Sequence, residues 1–500
     1  MPTAAFPSDS ALYDAAALRA AEARAAQQLG DAFELMRRAG AAAWRELLRR
    51  WPQAQRIVVV CGPGNNGGDG YVLAMHARLA GRTAQVLRLP AHAPRSDLAR
   101  RAAQEYAAAG GPISEHAGAP WQADVVVDAL FGIGLSRAPD ADAALLIEAI
   151  NTQSAPVLAL DVPSGVDADG GAAYAPAVVA TATLEFIARK SGLRTGAALD
   201  HVGEIALADL QLDGDAFDRS PRARLLHAGD LGRWLAPRAR NSHKGRNGRV
   251  LCIGGDYGSG GAIVLCAHSA LRSGAGLVEA ITQAEHVAPL LARLPEAMPR
   301  AAGNAADVQD ALARADAVAL GPGLGQGEWG RAMYAAAIEA ARPLLLDADA
   351  LNLLAQQPRR LRGDSVLTPH PGEAARLLGT DTAQVQADRY AAVRALCDRY
   401  GCVVVLKGAG TLVASPQDPV VVIAAGNPGM AVGGMGDVLS GTIAALRAQG
   451  LEAYDAAACG ALLHSAAGDA AAQEGGERGL LPSDLMPWLR RLANPQENHR

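Results

Sequence analysis

The chain has 500 residues, half of them apolar and 19% charged, with a formal net charge of −5. That length exceeds one compact core and gives two or three domains, and so slightly acidic a balance excludes a surface built for nucleic acid or anionic lipid. No apolar run approaches the roughly 18 residues of a membrane span, and residues 1–10 lack the basic start and apolar stretch of a signal peptide, so a cytoplasmic protein without nucleic-acid or membrane partners is expected.

Taken in chain order, residues 14–50 are alanine-rich and helical in pattern. A buried strand over 56–60 then runs into Gly62-Pro63-Gly64-Asn65-Asn66-Gly67-Gly68-Asp69-Gly70, followed by a helix over 71–80. Further strands are expected over 83–89, 124–128, 157–161, 178–187 and 204–208. Short apolar strands alternating with helices imply a parallel sheet covered on both faces, with functional groups at the carboxyl ends of its strands. A charged, turn-rich stretch at 211–224 leads to a second unit that opens with a strand at 249–253. Its other strands are expected over 317–320, 343–346, 366–367 and 403–406, and a helix over 438–447. No internal repeat is evident, so two different α/β domains are expected, 1–220 and 221–500.

Six cysteines (Cys61, Cys252, Cys266, Cys397, Cys402, Cys459) form no Cys-x-x-Cys pair, which reads as buried reduced thiols. Of the 46 basic residues only three are lysines, Lys190, Lys244 and Lys407. In a chain that otherwise uses arginine, a retained lysine points to a need for a compact ammonium. All three lie beside glycine-rich or turn-like segments.

In the first half, Gly62, Gly64 and Gly67 satisfy Gly-x-Gly-x-x-Gly between a strand and a helix, so a dinucleotide-dependent oxidoreductase is one reading. Against it, Asp69 places a carboxylate where a pyrophosphate needs positive potential, and the next strand ends in Arg88 rather than an acid for a ribose. Asp128-Ala129-Leu130-Phe131-Gly132 and Asp161-Val162-Pro163-Ser164-Gly165 put carboxylates at two more strand ends. Each alone is an ordinary cap or turn former; three polar loops converging on one cleft could hold a hard cation and move a proton.

Together with Lys190-Ser191-Gly192-Leu193, these segments resemble the NAD(P)H-hydrate epimerases, a Rossmann-like three-layer fold, over roughly residues 14–215. The resemblance implies a potassium ion held by Asn66, Asp128 and Ser164. It implies that hydrated dinucleotide (NADHX or NADPHX) is bound by Asn65, Asn66, Gly67, Gly68 and Asp69, by Gly132, Ile133, Gly134, Leu135, Ser136, Arg137 and Ala138, and by Asp161, the acid/base candidate. One departure is Leu35-Met36-Arg37-Arg38-Ala39-Gly40, with arginine where an acidic residue is expected.

The second half has no Gly-x-x-x-x-Gly-Lys-Ser/Thr loop. Glycine turns instead follow strands at Gly254–Gly261, Gly321–Gly325, Lys407–Thr411 and Gly426–Asp437. In the last of these, glycines let backbone approach an oxyanion, helix amides can face a phosphate, and Asp437 can take a proton from a hydroxyl; the bland alternative is a helix cap. This Gly-x-Gly-Asp turn resembles the ribokinase-like fold, and a small-molecule kinase is a competing reading; a pure scaffold would leave both polar clefts without a role. Asn241–Gly248, Asp347–Asn352, Thr368–Glu373 and Asn427–Met430 resemble the ADP-dependent NAD(P)H-hydrate dehydratases over about residues 225–495. That resemblance implies ADP as co-substrate, contacted by Lys407, Gly408, Ala409, Gly410, Thr411 and Gly436. It implies hydrated dinucleotide at Ala262, Gly323, His370 and Asp437, with Asp437 as base. It also implies magnesium, with Glu373 either near it or a solvated surface residue, and the whole chain is expected to be a homo-oligomer.

Overall fold

The computed structural model describes residues 10–116, 121–135, 137–212, 217 and 220–494. The chain divides between Ala223 and Arg224 into two compact units. Among the described residues no helix is long and apolar enough to cross a membrane, and all six cysteines are buried and free.

The first unit holds strands β1 (Arg56–Cys61), β2 (Thr83–Arg88), β3 (Ile113–Glu115), β4 (Val125–Ala129), β5 (Val157–Leu160), β6 (Ala182–Phe186) and β7 (Glu204–Ala208). They lie in the order β3-β2-β1-β4-β5-β6-β7, and every pairing is parallel. The unbroken apolar run of β1 follows from burial on both faces. Ile57, Val59 and Cys61 pack with Phe33, Leu47 and Tyr71 of helices on one side. Val58 and Val60 pack with Leu146 and Ile147 of the helix Ala141–Asn151 on the other. Full burial of each such side chain is worth about 1.5–3 kcal/mol. Strand order reverses between β1 and β4, which opens a crevice beyond their carboxyl ends.

Several local expectations change. The helical stretch at 14–50 is two helices, Ala15–Leu29 and Ala32–Arg50. Gly30 ends the first in a left-handed conformation (φ 70°), and the Asp31 carboxylate accepts from Phe33 N at 2.9 Å to start the second. The strand expected over 178–187 is shorter (β6), because Val178 and Ala180 spend their amides on Ser164 and His201 carbonyls. The glycine segment after β1 is largely not a turn: the helix begins at Asn65 and runs to Leu79. Its glycines are needed for close packing. A Cβ on Gly67 would lie 2.0 Å from Gly62 O, and one on Gly68 would lie 2.4 Å from Met36 Cε.

The tightest contact in this segment is at Gly62, where a Cβ would fall 1.8 Å from Leu130 O. Backbone of two strand ends must move apart to admit it, so Gly62→Ala should destabilise the unit by about 1–3 kcal/mol. A denaturant midpoint unchanged from wild type would contradict this.

The second unit holds β8 (Ala223–Leu226, whose first residue ends the first unit), β9 (Arg249–Ile253), β10 (Leu277–Thr282), β11 (Met298–Ala301), β12 (Ala317–Leu320), β13 (Leu344–Leu346), β14 (Val366–Leu367), β15 (Val403–Leu406), β16 (Leu412–Ala414) and β17 (Val420–Ile423). Their order is β8-β17-β16-β15-β14-β13-β12-β9-β10-β11. From β15 to β11 the pairings are parallel, while β15, β16 and β17 form an antiparallel meander. Strands β8, β10, β11, β16 and β17 are additions to the sequence reading. Here the order reverses between β9 and β12, and the helix Met435–Ala448 packs over this part of the sheet.

Candidate functional site

In the first unit a cavity of about 640 Å³ lies at the strand-order reversal. Asn65, Asn66, Asp69, Gly132, Ile133, Gly134, Leu135, Arg137 and Asp161 line it, as expected from the motifs. Gly67 and Gly68 do not: they are packed under Gly62 and Met36. Ala138 is not in the wall either, and Ser136 lies outside the described residues. Asp128 and Ser164 are fully buried behind the wall.

Asp161 follows β5 with φ 67°, a left-handed backbone for a non-glycine residue. Its carboxylate is held from three sides. Lys190 Nζ is 2.5 Å from Oδ1, Phe186 N donates to Oδ1 at 3.3 Å, and Ile133 N donates to Oδ2 at 3.4 Å. Lys190 is itself buried, donating to the carbonyls of Phe186 (2.7 Å) and Ala188 (3.1 Å). Its backbone N donates to buried Glu185, which is paired with Arg194.

Asp128 Oδ1 accepts from Ser164 Oγ at 2.7 Å, and Oδ2 accepts from Ser164 N at 2.8 Å. Phe131 N in turn donates to Ser164 Oγ at 2.9 Å. Burial raises the Asp128 carboxyl to about 6 despite these bonds. Asn66, beside Gly132, is buried with neither Oδ1 nor Nδ2 partnered, which is costly unless a ligand or ion meets it. An Asn amide oxygen, a carboxylate and a hydroxyl are the oxygen donors a hard cation takes.

The sequence reading missed Glu22. It sits in the helix Ala15–Leu29, lines the cavity, and looks in sequence like any solvated helix charge. Burial raises its carboxyl, and the Asp161 carboxylate adds to the effect, against a hydrogen bond from Asn65 and the charges of Lys190 and Arg19. Asp69 is raised well above the usual range by burial, then by Glu22 and Asp161. Three carboxyl groups around the glycine segment make it a poor pyrophosphate seat of the oxidoreductase type.

In the second unit the expected residues gather at the carboxyl ends of β12 to β15. Asp347 follows β13, Lys407 follows β15, and Lys407 Nζ is 2.7 Å from Asp347 Oδ1. Ser440 Oγ donates to Asp347 Oδ2 at 2.8 Å. Burial alone would raise Asp347, but Lys407, Ser440 and Thr368 hold it below the usual carboxylate range. Gly434 (φ 98°) starts the helix Met435–Ala448, and Gly436 lies so close that a Cβ would be 3.2 Å from Lys407 Nζ. Asp437, in the first turn, is raised to about 7 by burial and by Asp347, partly offset by Lys407. Its helix-cap reading fails on geometry: Gly434 holds the cap position and no side chain bonds there.

A Cβ on Gly323 would sit 3.2 Å from Ala262 Cβ, so those two expected contacts are neighbours. At the end of β15, buried Arg389, from the preceding helix Arg389–Tyr400, donates to the carbonyls of Leu406 and Lys407, and in the loop that follows Thr411 Oγ1 donates to Gly408 O at 2.9 Å. His370 caps the helix Pro371–Leu378 and is half exposed, with Nδ1 accepting from Gly372 N at 3.0 Å. Glu373 is not the solvated residue considered above: it is buried, with Oε2 accepting from His370 N at 2.7 Å and 3.7 Å from Lys407 Nζ. Lys244 is exposed and precedes β9, so it belongs to the amino end of the sheet, away from this cluster. A cavity of about 840 Å³ also lies at that end, lined by Gly274, Gln449 and Leu451, and holds none of the expected residues. The charged cluster is the better site because its groups converge on a helix start.

Fold and sites together define an α/β enzyme class: a strand-reversal cavity with a carboxylate at a strand end, and a ribokinase-like unit with a carboxylate at a glycine-started helix. Residues 32–192 match the family described as YjeF-related protein N-terminus, and residues 250–491 match NAD(P)H-hydrate dehydratase. The chain is 45% identical to the bifunctional NAD(P)H-hydrate repair enzyme of Escherichia coli (strain K12), covering 96% of this chain and 94% of that one. It is 46% identical to the enzyme of the same name from Coxiella burnetii, covering 97% and 99%. Among solved structures, a ribokinase-like superfamily protein of Enterococcus faecalis aligns with TM-score 0.51 and 30% identity, covering 55% of this chain and 97% of that one. The chain belongs to the bifunctional NAD(P)H-hydrate repair enzyme family.

Proposed function

We propose that the first unit interconverts the R and S hydrates of NADH and NADPH, and that the second dehydrates the S hydrate with ADP, releasing AMP and phosphate. The observation that carries this is the pairing of two unlike carboxylates in one chain: Asp161 in the wall of the first unit's cavity and Asp437 beside Lys407 at a helix start. In the second site, Lys407, the 408–411 backbone and Gly436 would hold the ADP phosphates, while Ala262, Gly323 and His370 would border the hydrated ring. Asp437 accepts the ring hydroxyl's proton as its oxygen takes a phosphoryl group. Loss of phosphate, with a proton leaving the adjacent ring carbon to solvent, then restores the ring double bond.

Asn66, Asp128 and Ser164 would hold potassium, and the unpartnered Asn66 amide is what supports that fit. When bound, the ion supplies positive charge to a wall otherwise rich in carboxylates. Replacing potassium by tetramethylammonium should slow epimerisation at least roughly tenfold, the effect of about 1.4 kcal/mol; an unchanged rate would remove the ion from the scheme. Glu373 is committed to its helix cap and to Lys407, so magnesium would reach the site on the nucleotide's phosphates.

The test follows the reduced-nicotinamide absorbance from an epimer mixture of hydrated NADH with ADP and magnesium. Full recovery is expected from the wild-type chain, and fast recovery of only one epimer from Asp161→Asn. Phosphorylation of a sugar or a pyrimidine alcohol, with no recovery, would favour the kinase reading instead.

A further inference from the structure

We propose that Glu22 is the second acid–base residue of the first site, acting on the substrate together with Asp161. This rests on the epimerase reading of that cavity.

The chemistry asks for two groups. Adding water across the enamine double bond of a reduced nicotinamide puts the hydroxyl on the carbon bonded to the ring nitrogen. Inverting that carbon means breaking its C–O bond and making a new one from the other face. A proton must reach the departing hydroxyl, and another must leave the entering water. One carboxylate on one wall serves one face.

The cavity offers a second carboxyl on a different element. Asp161 stands at the end of β5, and Glu22 projects from the helix Ala15–Leu29; both line the same space. Their roles are already separated by their partners. Asp161 is paired with the Lys190 ammonium. The groups facing Glu22 are the Asp161 and Asp69 carboxyls, the Lys190 and Arg19 cations, and the Asn65 amide. Arg19, one helical turn away, does not serve only as its surface partner, since its guanidinium donates to Ile133 O at 2.8 Å. Asn65 Oδ1 accepts from Ser96 Oγ at 2.7 Å, which orients its amide toward Glu22. Burial and the Asp161 charge keep Glu22 protonated to higher pH than a solvated glutamate, as a general acid requires. Glu22 also precedes the residues matched by the family description for this unit.

The step balances as follows. Glu22 donates its proton to the hydroxyl, the C–O bond breaks as the nitrogen lone pair forms C=N, and water leaves. A water on the opposite face bonds to the carbon, the electron pair returns to nitrogen, and Asp161 takes the released proton. In the reverse direction the two carboxyls exchange roles.

The experiment measures epimerisation kcat and KM against pH for the full-length wild type, Glu22→Gln and Glu22→Asp. Expected is a loss of at least roughly 100-fold in kcat for the Gln variant, with KM little changed and the alkaline limb of the profile gone. The Asp variant should recover rate and keep that limb. A Gln variant within threefold of wild type would overturn the assignment, as would equal losses in both variants with the limb intact. A wild-type chain that does not epimerise at all would instead sink the reading of the whole site.

Discussion

Asp437→Asn should abolish most dehydration, lowering kcat by about 100- to 10,000-fold with little change in KM, because it removes a general base and leaves the binding surface in place. The wild-type profile supplies an independent signature. With the carboxyl raised to about 7, the ionised base is scarce in mild acid, so kcat/KM should climb about tenfold per pH unit below 7 and flatten above it. The Asn variant should show no such limb. Stability should move the other way. The folded carboxyl is raised above its unfolded value, so it favours folding while protonated and loses that contribution as pH rises through about 7. At pH 8, therefore, Asp437→Asn should melt no lower than wild type. An Asn variant retaining more than a tenth of the wild-type rate would show that the hydroxyl proton goes elsewhere.

Lys190→Met should destabilise the first unit by about 3–5 kcal/mol, since it strips the partner from a largely buried carboxylate. The ammonium is 1% exposed and Asp161 13%. Two carbonyls, of Phe186 and Ala188, lose their donor at the same time. For a unit of this size the melting temperature should fall by roughly 6–20 °C. Lys190→Arg should recover only part of this, because a planar guanidinium cannot place its donors as a compact ammonium does. Calorimetry checks both; a Met variant melting within 2 °C of wild type would mean that the ion pair contributes nothing net.

The lysine scarcity illustrates what the sequence can and cannot tell. Lys190 and Lys407 both sit in buried ion pairs, where the chemistry of a small ammonium matters, whereas Lys244 is exposed and away from the cluster. The strand ends were legible because β1, β4 and β5 are short apolar runs followed by glycine, proline or a carboxylate. The start of the helix at Asn65 was not. Three glycines in its first two turns suggest a loop, and only the backbone of Gly62 and the side chain of Met36 pressing on them make a helix the compact solution. Strands β16 and β17 were missed for a related reason: a hairpin built of three- and four-residue strands carries too little period to show. Glu22 was invisible because its role depends on distant neighbours, Asn65 and Asp161, and its helix is marked by alanines rather than by a motif. Likewise the burial of Glu373 depends on the His370 amide and on Lys407, which a local sequence pattern does not place beside it.

The left-handed backbone at Asp161 narrows what evolution can try there. Most L-residues resist φ near 67°, and only glycine, asparagine and aspartate adopt it readily. Glycine and asparagine satisfy the backbone but carry no proton-accepting carboxylate; glutamate carries the carboxylate but strains the backbone by about 1–3 kcal/mol. Every single substitution is therefore penalised by chemistry or by conformation. The same constraint makes alanine an unsuitable probe at this position, since it would confound both losses, whereas asparagine isolates the chemical one.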